Sequence, residues 1–207
     1  MSIDKYNAKH YPDPTAYAAL KNAKRSNSTK SPKSHKRVAQ GRKSKATGAA
    51  FESYIDLSLI HYKNKGIADI QKTPEPMKPL ESVPGKSGKF IAVFLKQAQA
   101  DYKGILMGGK SVMFEAKHTN TETMPYGRLT PEQINNLRSY DKFGAVCFIL
   151  VSFNFKNFYR IPWVNWRDMK ELYGRKHLKE SDIQEFRVKF ESGIINFLYK
   201  SNKNELK

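Results

Sequence analysis

The sequence predicts an α/β domain with a mixed central sheet flanked by helices. Three observations lead to this fold class. Segments whose apolar residues recur at helical spacing alternate with short apolar segments of strand length. Gly108-Gly109 joins two of the strand segments as a hairpin. The stretch 145–153 is apolar throughout, which is typical of a strand buried on both faces.

The first two elements are a helix and a short strand. The helix is predicted to begin near Thr47 and to end before Gly66. Its apolar residues recur at the spacing of one helix face, at Phe51, Ile55, Leu59 and Tyr62. Residues 67–72 follow as a strand. Residues 77–98 then form a long segment rich in Pro, Gly and Lys, and a segment of this length inside a compact domain tends to be functional.

The remaining elements follow from turn and cap residues. Residues 101–107 and 111–117 form the two strands of the Gly-Gly hairpin. Thr130-Pro131-Glu132-Gln133 combines a cap residue, Pro at the first helical position and Gln at the third, which predicts the start of a helix. A short strand over 158–161 and a helix from Pro162 follow the apolar strand.

The chain is strongly basic, which restricts its partners. It has 37 Lys and Arg against 19 Asp and Glu, a net charge of +18 over 207 residues. This excess favours a polyanion, and we expect nucleic acid and no membrane, because no apolar stretch approaches the roughly 18 residues of a membrane span. The single cysteine, Cys147, excludes an internal disulfide and fits a reducing compartment. We therefore expect a cytoplasmic protein.

The basic residues are concentrated near the N-terminus. Ten of them and no acid lie between Lys21 and Lys45. We therefore expect residues 1–46 to form a basic flexible arm, followed by a folded domain over 47–200 and a polar tail over 201–207. The arm either contacts DNA or serves as a solubilising tail. Its candidate DNA contacts are Lys36, Arg37, Arg42 and Lys43.

The candidate chemistry lies on the hairpin strands. Because strand side chains alternate between faces, Glu115 and Lys117 share one face, near Asp101 of the neighbouring strand. Two carboxylates can hold a hard divalent ion, usually Mg²⁺, which activates water for phosphodiester hydrolysis. A lysine beside them can orient that water and offset developing charge. The competing interpretation is a surface ion pair on an exposed strand.

Several motifs in one order resemble the RecU-type Holliday junction resolvases of Gram-positive bacteria and their phages. They extend from Gly48 to about Trp163. The motifs are Gly48-x-x-Phe51-Glu52, Ile70-Gln71-Lys72-Thr73-Pro74-Glu75-Pro76, Phe94-Leu95-Lys96-Gln97, Asp101-Tyr102-x-Gly104, Phe114-Glu115-Ala116-Lys117-x-Thr119 and Gln133-Ile134.

The resemblance implies a restriction-endonuclease-like fold, in which a stalk protrudes between the first two strands of the central sheet. Here the stalk is residues 77–98. It also implies a homodimeric endonuclease that depends on Mg²⁺, with Mn²⁺ as an alternative ion, and nicks four-way DNA junctions symmetrically during recombination and repair. Recombination proteins would be further partners.

The resemblance also implies roles for individual residues. Asp101, Glu115 and the Ala116 carbonyl would ligate the metal, and Lys117 would be the catalytic lysine. Glu52 would stand near the metal, with an ordinary solvated helix acid as the alternative.

The family pattern implies two more site residues. Gln133 would lie close to the site, although the third position of a helix also favours Gln for structural reasons. Lys72 would assist phosphate binding.

Two positions depart from the family pattern. Ala100 stands where a hydroxyl residue often precedes the first aspartate, so that no hydroxyl can assist the metal there. The stalk carries Lys86, Lys89 and Lys96 rather than an arginine pair, and lysine neutralises phosphate without the planar fork of arginine.

Two other functions remain open on the residues alone. One is a restriction or repair nuclease of the same fold that acts on linear duplex DNA. The other is a basic architectural DNA-binding protein without catalytic activity.

Overall fold

The structure is a computed structural model that describes residues 32–95 and 99–199, with side chains from residue 46 onward. The chain divides into two compact units, Met1–Lys43 and Ser44–Lys207. The predicted polar tail, 201–207, lies outside the described residues. Along the described part of the chain, no helix is both long and apolar enough to span a lipid bilayer.

The main helices and strands follow one another along the chain in the order that the sequence predicts. In chain order they are α1 (Pro32–Asn64), β1 (Ala68–Lys72), β2 (Met77–Ser82), β3 (Phe90–Phe94), β4 (Tyr102–Leu106), β5 (Ser111–Thr119), β6 (Thr123–Pro125), α2 (Pro131–Lys142), β7 (Val146–Phe153), β8 (Asn157–Pro162), α3 (Trp163–Arg167), α4 (Met169–Tyr173), β9 (His177–Lys179), β10 (Arg187–Val188), β11 (Phe190–Glu191) and β12 (Ile194–Ile195). Short 3₁₀ turns occupy Tyr126–Arg128 and Glu180–Phe186.

The start of the first helix corrects the prediction. The sequence predicts a helix from near Thr47, whereas α1 begins at Pro32. Proline is favourable in the first turn of a helix. The residues that follow are mostly Lys, Arg, Ala and Gln, which have high helix propensity even without an apolar face. The flexible arm over residues 1–46 stays a prediction, and its residues 1–31 lie outside the described residues.

The central sheet is mixed and has six strands in the order β1-β4-β5-β7-β8-β10. β4 and β5 pair antiparallel across the Gly108-Gly109 turn, as the sequence predicts. β5 and β7 run parallel, and the β7–β8 pair is again antiparallel. The predicted mixed α/β sheet is therefore confirmed.

Two apolar layers cover the two faces of the sheet. On one face, α1 packs the four predicted residues from Phe51 to Tyr62 against Phe114 and Phe148. On the other, α2, α3 and α4 pack Leu137, Trp163, Trp166 and Met169 against alternate residues of β7. Strand β7 is consequently buried on both faces, which confirms the prediction. The helix predicted from Pro162 forms as two short helices that meet at Asp168.

The stalk segment forms a hairpin separate from the central sheet. β2 and β3 pair with each other in a two-stranded sheet between β1 and β4 in the chain. All their residues are exposed except Val93, which is half-buried. Because it is exposed, the hairpin adds surface to the domain and little to its apolar core.

Candidate active site

The candidate active site lies where β5 extends past the beginning of β4. Pairing between the two strands ends at Tyr102 and Phe114. β5 continues to Thr119 while it pairs with β7 on its other edge. Beyond Phe114, the edge of β5 therefore faces Asp101, the residue just before β4, instead of a neighbouring strand.

Lys117 joins the two carboxylates at this edge. Its Nζ donates a hydrogen bond to Glu115 Oε2 at 2.8 Å and another to Asp101 Oδ2 at 3.2 Å. The side chain of Glu115 is fully buried, and that of Lys117 is 13% exposed. The interpretation of this pair as a surface ion pair on an exposed strand is therefore wrong.

Burial dominates the electrostatics of Glu115. It raises the pKa of this carboxyl group to about 8, with a further increase from Asp101, whereas the Lys117 ammonium acts in the opposite direction. Glu115 Oε1 is buried and has no hydrogen-bond partner among the described residues. A buried carboxylate oxygen without a partner is costly, and it is the kind of group that a cation can satisfy.

The backbone of Ala116 also belongs to the site. Its N–H donates to Asp101 Oδ2 at 3.0 Å. In a strand, the N–H and C=O of one residue point to the same edge, so the Ala116 carbonyl faces the Asp101 side as well. The three ligand positions predicted from the sequence, Asp101, Glu115 and the Ala116 carbonyl, are thus brought together at one edge.

Gln133 reaches the site from the start of α2. Its Nε2 donates to Glu115 Oε2 at 2.5 Å. Its Oε1 accepts from the Thr130 N–H at 3.1 Å, and its own N–H donates to Thr130 Oγ1, so that the predicted capping box is present. The two interpretations of Gln133, as a site residue and as a cap, therefore hold together.

Two residues that were not among the predicted site residues hold the backbone at Ala100 and Asp101. The Thr73 N–H donates to the Asp101 carbonyl at 2.8 Å. Asn136 Oδ1 accepts from the Ala100 N–H at 3.2 Å. Asn136 lies three residues after Gln133, on the same face of α2. The Gln-x-x-Asn spacing is the sequence pattern that could have indicated Asn136. The hydrogen bond of Thr73 is formed by the main chain, so its residue type does not indicate it.

Glu52 lies beside the site without contacting its centre. It forms an ion pair with Lys72, in which Nζ and Oε2 are 2.6 Å apart, and both side chains are close to half exposed. Burial raises the pKa of Tyr102, and the negative charges of Asp56, Glu52 and Asp101 raise it further.

The predicted DNA-binding residues are distributed over several elements. Lys86 and Lys89 are exposed in the turn between β2 and β3. Lys96 lies outside the described residues. Lys36, Arg37, Arg42 and Lys43 belong to α1. Their contacts with DNA stay predictions.

The residues present fit a small, hard divalent ion. Mg²⁺ usually takes one or two carboxylates from a protein and keeps several waters. Two carboxylates, one of them with an unpartnered buried oxygen, match this demand. In the described residues there is no group of three or more His, Cys, Asp or Glu that could hold a metal. A site here would thus depend on Asp101, Glu115 and the backbone.

Comparisons with known proteins agree with the predicted resemblance. The family RecU, Recombination protein U, matches residues 46–202. The Holliday junction resolvase RecU of Pediococcus pentosaceus is 30% identical over 148 residues, which cover 67% of this chain and 72% of that protein. The RecU resolvase of Bacillus pumilus is 30% identical over 146 residues, covering 67% and 70%.

A solved structure, Archaeoglobus fulgidus Hjc, a Holliday junction resolvase, is similar over 65% of this chain and 90% of that chain, with 14% identity and a TM-score of 0.41. The family match, in contrast, spans more than half of the chain and includes every described residue of the candidate site. The resemblance predicted from the sequence motifs is confirmed, and this chain belongs to the RecU family.

Proposed function

We propose that this protein is a metal-dependent endonuclease that resolves four-way DNA junctions by paired, symmetric nicks in recombination and repair. The observation that carries the proposal is the Lys117 ammonium held between the carboxylates of Asp101 and Glu115. Curated relatives of this chain are named Holliday junction resolvases, which supports junction DNA as the substrate.

Asp101, Glu115 and the Ala116 carbonyl would hold Mg²⁺, with Mn²⁺ as an alternative. When bound, the ion polarises the scissile phosphate and lowers the pKa of a water molecule. Lys117 would orient the attacking water and stabilise the negative charge that develops on the phosphate. Its low exposure and its two hydrogen bonds support this role, because they hold the ammonium group beside both carboxylates.

Gln133 would act on the reaction through Glu115. Its amide donates to Glu115 Oε2, which orients the carboxylate and leaves Oε1 for the ion. We assign it as a positioning residue. Glu52 would act at the rim of the site, where its ion pair with Lys72 holds a cation close to an incoming phosphate.

Affinity for DNA would come mostly from phosphate contacts. The net charge of +18 supports this proposal, and binding is expected to weaken steeply as salt increases. Lys86 and Lys89, in the turn of the exposed stalk hairpin, would contact the centre of the junction. The basic N-terminal residues would contact its arms.

We further propose a homodimer that works in the cytoplasm. A two-fold axis would place two identical sites on strands of the same polarity, and the two nicks could then be ligated. Recombination proteins would act before or after the resolvase.

The proposal is tested with a four-way junction and a linear duplex of matched sequence, each with and without Mg²⁺. We expect paired nicks in the junction, with Mg²⁺ present, and little cutting of the duplex. Asp101→Ala and Glu115→Ala should abolish cleavage and retain junction binding in EDTA. Asp69→Ala is the control, because Asp69 is an exposed acid of β1 that pairs with Lys63 outside the site.

Two results would overturn the proposal. Cleavage that persists in both variants would remove the assigned site. Cleavage of the duplex at the rate of the junction would favour the restriction- or repair-type nuclease. Deletion of residues 77–98 separates these two substrates further, because it should abolish junction cutting and leave the six-stranded sheet folded.

A further inference from the structure

Beside Asp101, the base of the stalk hairpin forms an open cleft of about 320 Å³. Its apolar lining comes from Pro74, Pro76, Phe94 and Leu95. A cleft of this size lies at the lower end of the roughly 300–1,000 Å³ of small-ligand sites. It is therefore large enough for a single small, flat group.

The cleft is continuous with the candidate active site. Asp101 and Gln133 line it together with the apolar residues. A ligand in the cleft would thus lie next to a phosphate at Asp101.

Backbone hydrogen bonds fix this position. The Thr73 N–H donates to the Asp101 carbonyl, and the Leu95 N–H donates to the Pro76 carbonyl at 2.9 Å. These backbone hydrogen bonds therefore hold the lining of the cleft beside the candidate active site.

Two features of the lining indicate a binding site: an exposed aromatic ring and a buried hydroxyl group without a hydrogen-bond partner among the described residues. Phe94 is 67% exposed, although it is an aromatic side chain next to carboxylates, and exposed apolar surface of this kind commonly marks a binding site. Thr73 Oγ1 is buried and has no hydrogen-bond partner within the described ranges, whereas buried hydroxyls normally have one. A ligand that satisfies both is flat and apolar on its face and polar at its edge.

We propose that the cleft binds the base of the nucleotide next to the scissile phosphate, and that it thereby determines which positions of a junction are cut. This inference rests on the proposed function, because it takes the phosphate at Asp101 and Lys117 as the point from which the base reaches the cleft. The base would stack on Phe94 and exchange an edge hydrogen bond with Thr73 Oγ1.

A base fits this cleft better than a phosphate or a peptide side chain. It carries no net charge, so that Glu75 and Asp101, the two carboxylates that line the cleft, do not repel it as they would a phosphate placed inside the cleft. An aliphatic side chain from a partner protein would leave the Thr73 hydroxyl without a partner. Moreover, a base at a branch point is already partly unstacked, which lowers the cost of moving it out of the helix.

The test uses Phe94→Ala and Thr73→Val in the full-length protein. The first removes the stacking surface, and the second removes the hydroxyl while it keeps the size of the side chain. Phe90→Ala is the matched control, because Phe90 is an exposed phenylalanine of the same strand, β3, and does not line the cleft.

The first measurement is the distribution of cut positions on a four-way junction that branch-migrates through a varied sequence in Mg²⁺. We expect the wild type to favour particular bases beside the cut. Phe94→Ala should reduce this preference by about tenfold, and Thr73→Val by about threefold. Phe90→Ala should retain the wild-type distribution. A wild type without preference, or cleft variants with an unchanged distribution, would overturn the inference and leave the proposed function intact.

The second measurement needs binding and no cleavage. A junction with 2-aminopurine at its branch point is titrated with the protein in EDTA, and its fluorescence reports whether the base leaves the stack. The wild type and Phe90→Ala should change the fluorescence, and Phe94→Ala should lose the change. An equal loss in Phe90→Ala, or no change in the wild type, would refute the base pocket even if the protein cleaves no junction.

Discussion

Gln133 uses the two ends of one amide for two tasks: its oxygen accepts from the Thr130 N–H, and its nitrogen donates to Glu115 Oε2. The first bond caps α2, and the second orients a buried carboxylate. The start of the helix and the candidate metal ligand are therefore coupled through a single side chain, so that substitutions can separate the stability of the cap from the activity of the site.

Gln133→Glu should reduce cleavage by about 10- to 100-fold and leave the cap of α2 in place. Glutamate also forms capping boxes, so the cap of α2 remains. The amide donor is lost, however, so Glu115 Oε2 loses the hydrogen bond that it accepts from Gln133. A second carboxylate also comes to lie against Glu115. Single-turnover cleavage of a four-way junction and thermal unfolding measure the two effects.

Thr130→Ala is the matched control for this substitution. It removes the cap and leaves the Gln133 amide in place, so unfolding should become easier by about 1 kcal/mol while cleavage is retained. A Gln133→Glu protein that cleaves at the wild-type rate would contradict the coupling.

Glu115→Gln should stabilise the protein in EDTA, and the gain should increase with pH. The folded state raises the pKa of Glu115 from 4.5 to about 8, so between these values the folded protein holds a proton that the unfolded chain releases. The contribution of Glu115 to stability is thus present at low pH and is lost as the pH rises towards 8. Glutamine does not titrate, so the Glu115→Gln protein does not lose this stability as the pH rises. Lys117 keeps Asp101 as its partner.

Urea unfolding at pH 5 and pH 8.5 measures this gain. We expect a difference between Glu115→Gln and the wild type of about 2 kcal/mol at pH 8.5 and much less at pH 5. Glu52→Gln, an exposed carboxylate, should change stability by less than about 1 kcal/mol at both values. Equal stability of the Glu115→Gln protein and the wild type at pH 8.5 would show that the buried carboxylate does not lower stability, and it would contradict the prediction.

Gly104→Ala should destabilise the protein strongly. A Cβ at position 104 would lie 2.1 Å from the Asp69 carbonyl oxygen and 2.5 Å from the Ile70 Cα, both of them backbone atoms of β1. Strand β1 would have to move away from β4, which should cost at least about 2 kcal/mol.

Gly127→Ala provides the comparison for this substitution. Nothing lies within 4 Å of a Cβ at that position, and a change within about 0.5 kcal/mol is expected. Urea denaturation compares the two variants, and similar midpoints would show that β1 adapts without cost.

Cys147 should react slowly with alkylating reagents in the native protein. It is buried in β7, and burial together with the negative charge of Asp141 raises the pKa of its thiol to about 12. At pH 8, the thiolate fraction is therefore roughly 1,000-fold below that of an ordinary thiol with a pKa of 9.0. Iodoacetamide labelling followed by mass spectrometry should show fast reaction in guanidinium and very slow reaction without it. Rapid native labelling would contradict the burial of this strand.

The parts of the fold that the sequence predicted well depend on local signals. The Thr130 capping box, the Gly108-Gly109 turn and the apolar run of β7 are each determined by a few neighbouring residues. Alternation along β5 also gave the shared face of Glu115 and Lys117. It could not show that α2 covers this face, because such covering depends on residues far away in the chain.

Other features had no local signal. α1 extends back to Pro32 through residues without an apolar face, so the periodicity that identified Phe51 to Tyr62 was absent there. The bond from the Thr73 N–H to the Asp101 carbonyl uses backbone atoms that every residue type except proline can supply. Asp56 became part of the surroundings of Tyr102 through the packing of α1 on the sheet.

The unequal lengths of β4 and β5 have a consequence for how the site can change over time. The overhang of β5 contributes the N–H and carbonyl of Ala116, groups that belong to the chain itself and survive replacement of the side chain. Substitution of Ala116 is thus limited by the space for a side chain among its apolar neighbours. The backbone N–H and carbonyl stay in place whichever side chain is present, as long as the strand keeps its course. Part of the site is in this sense encoded by topology, and it persists as long as the shorter strand stops where it does.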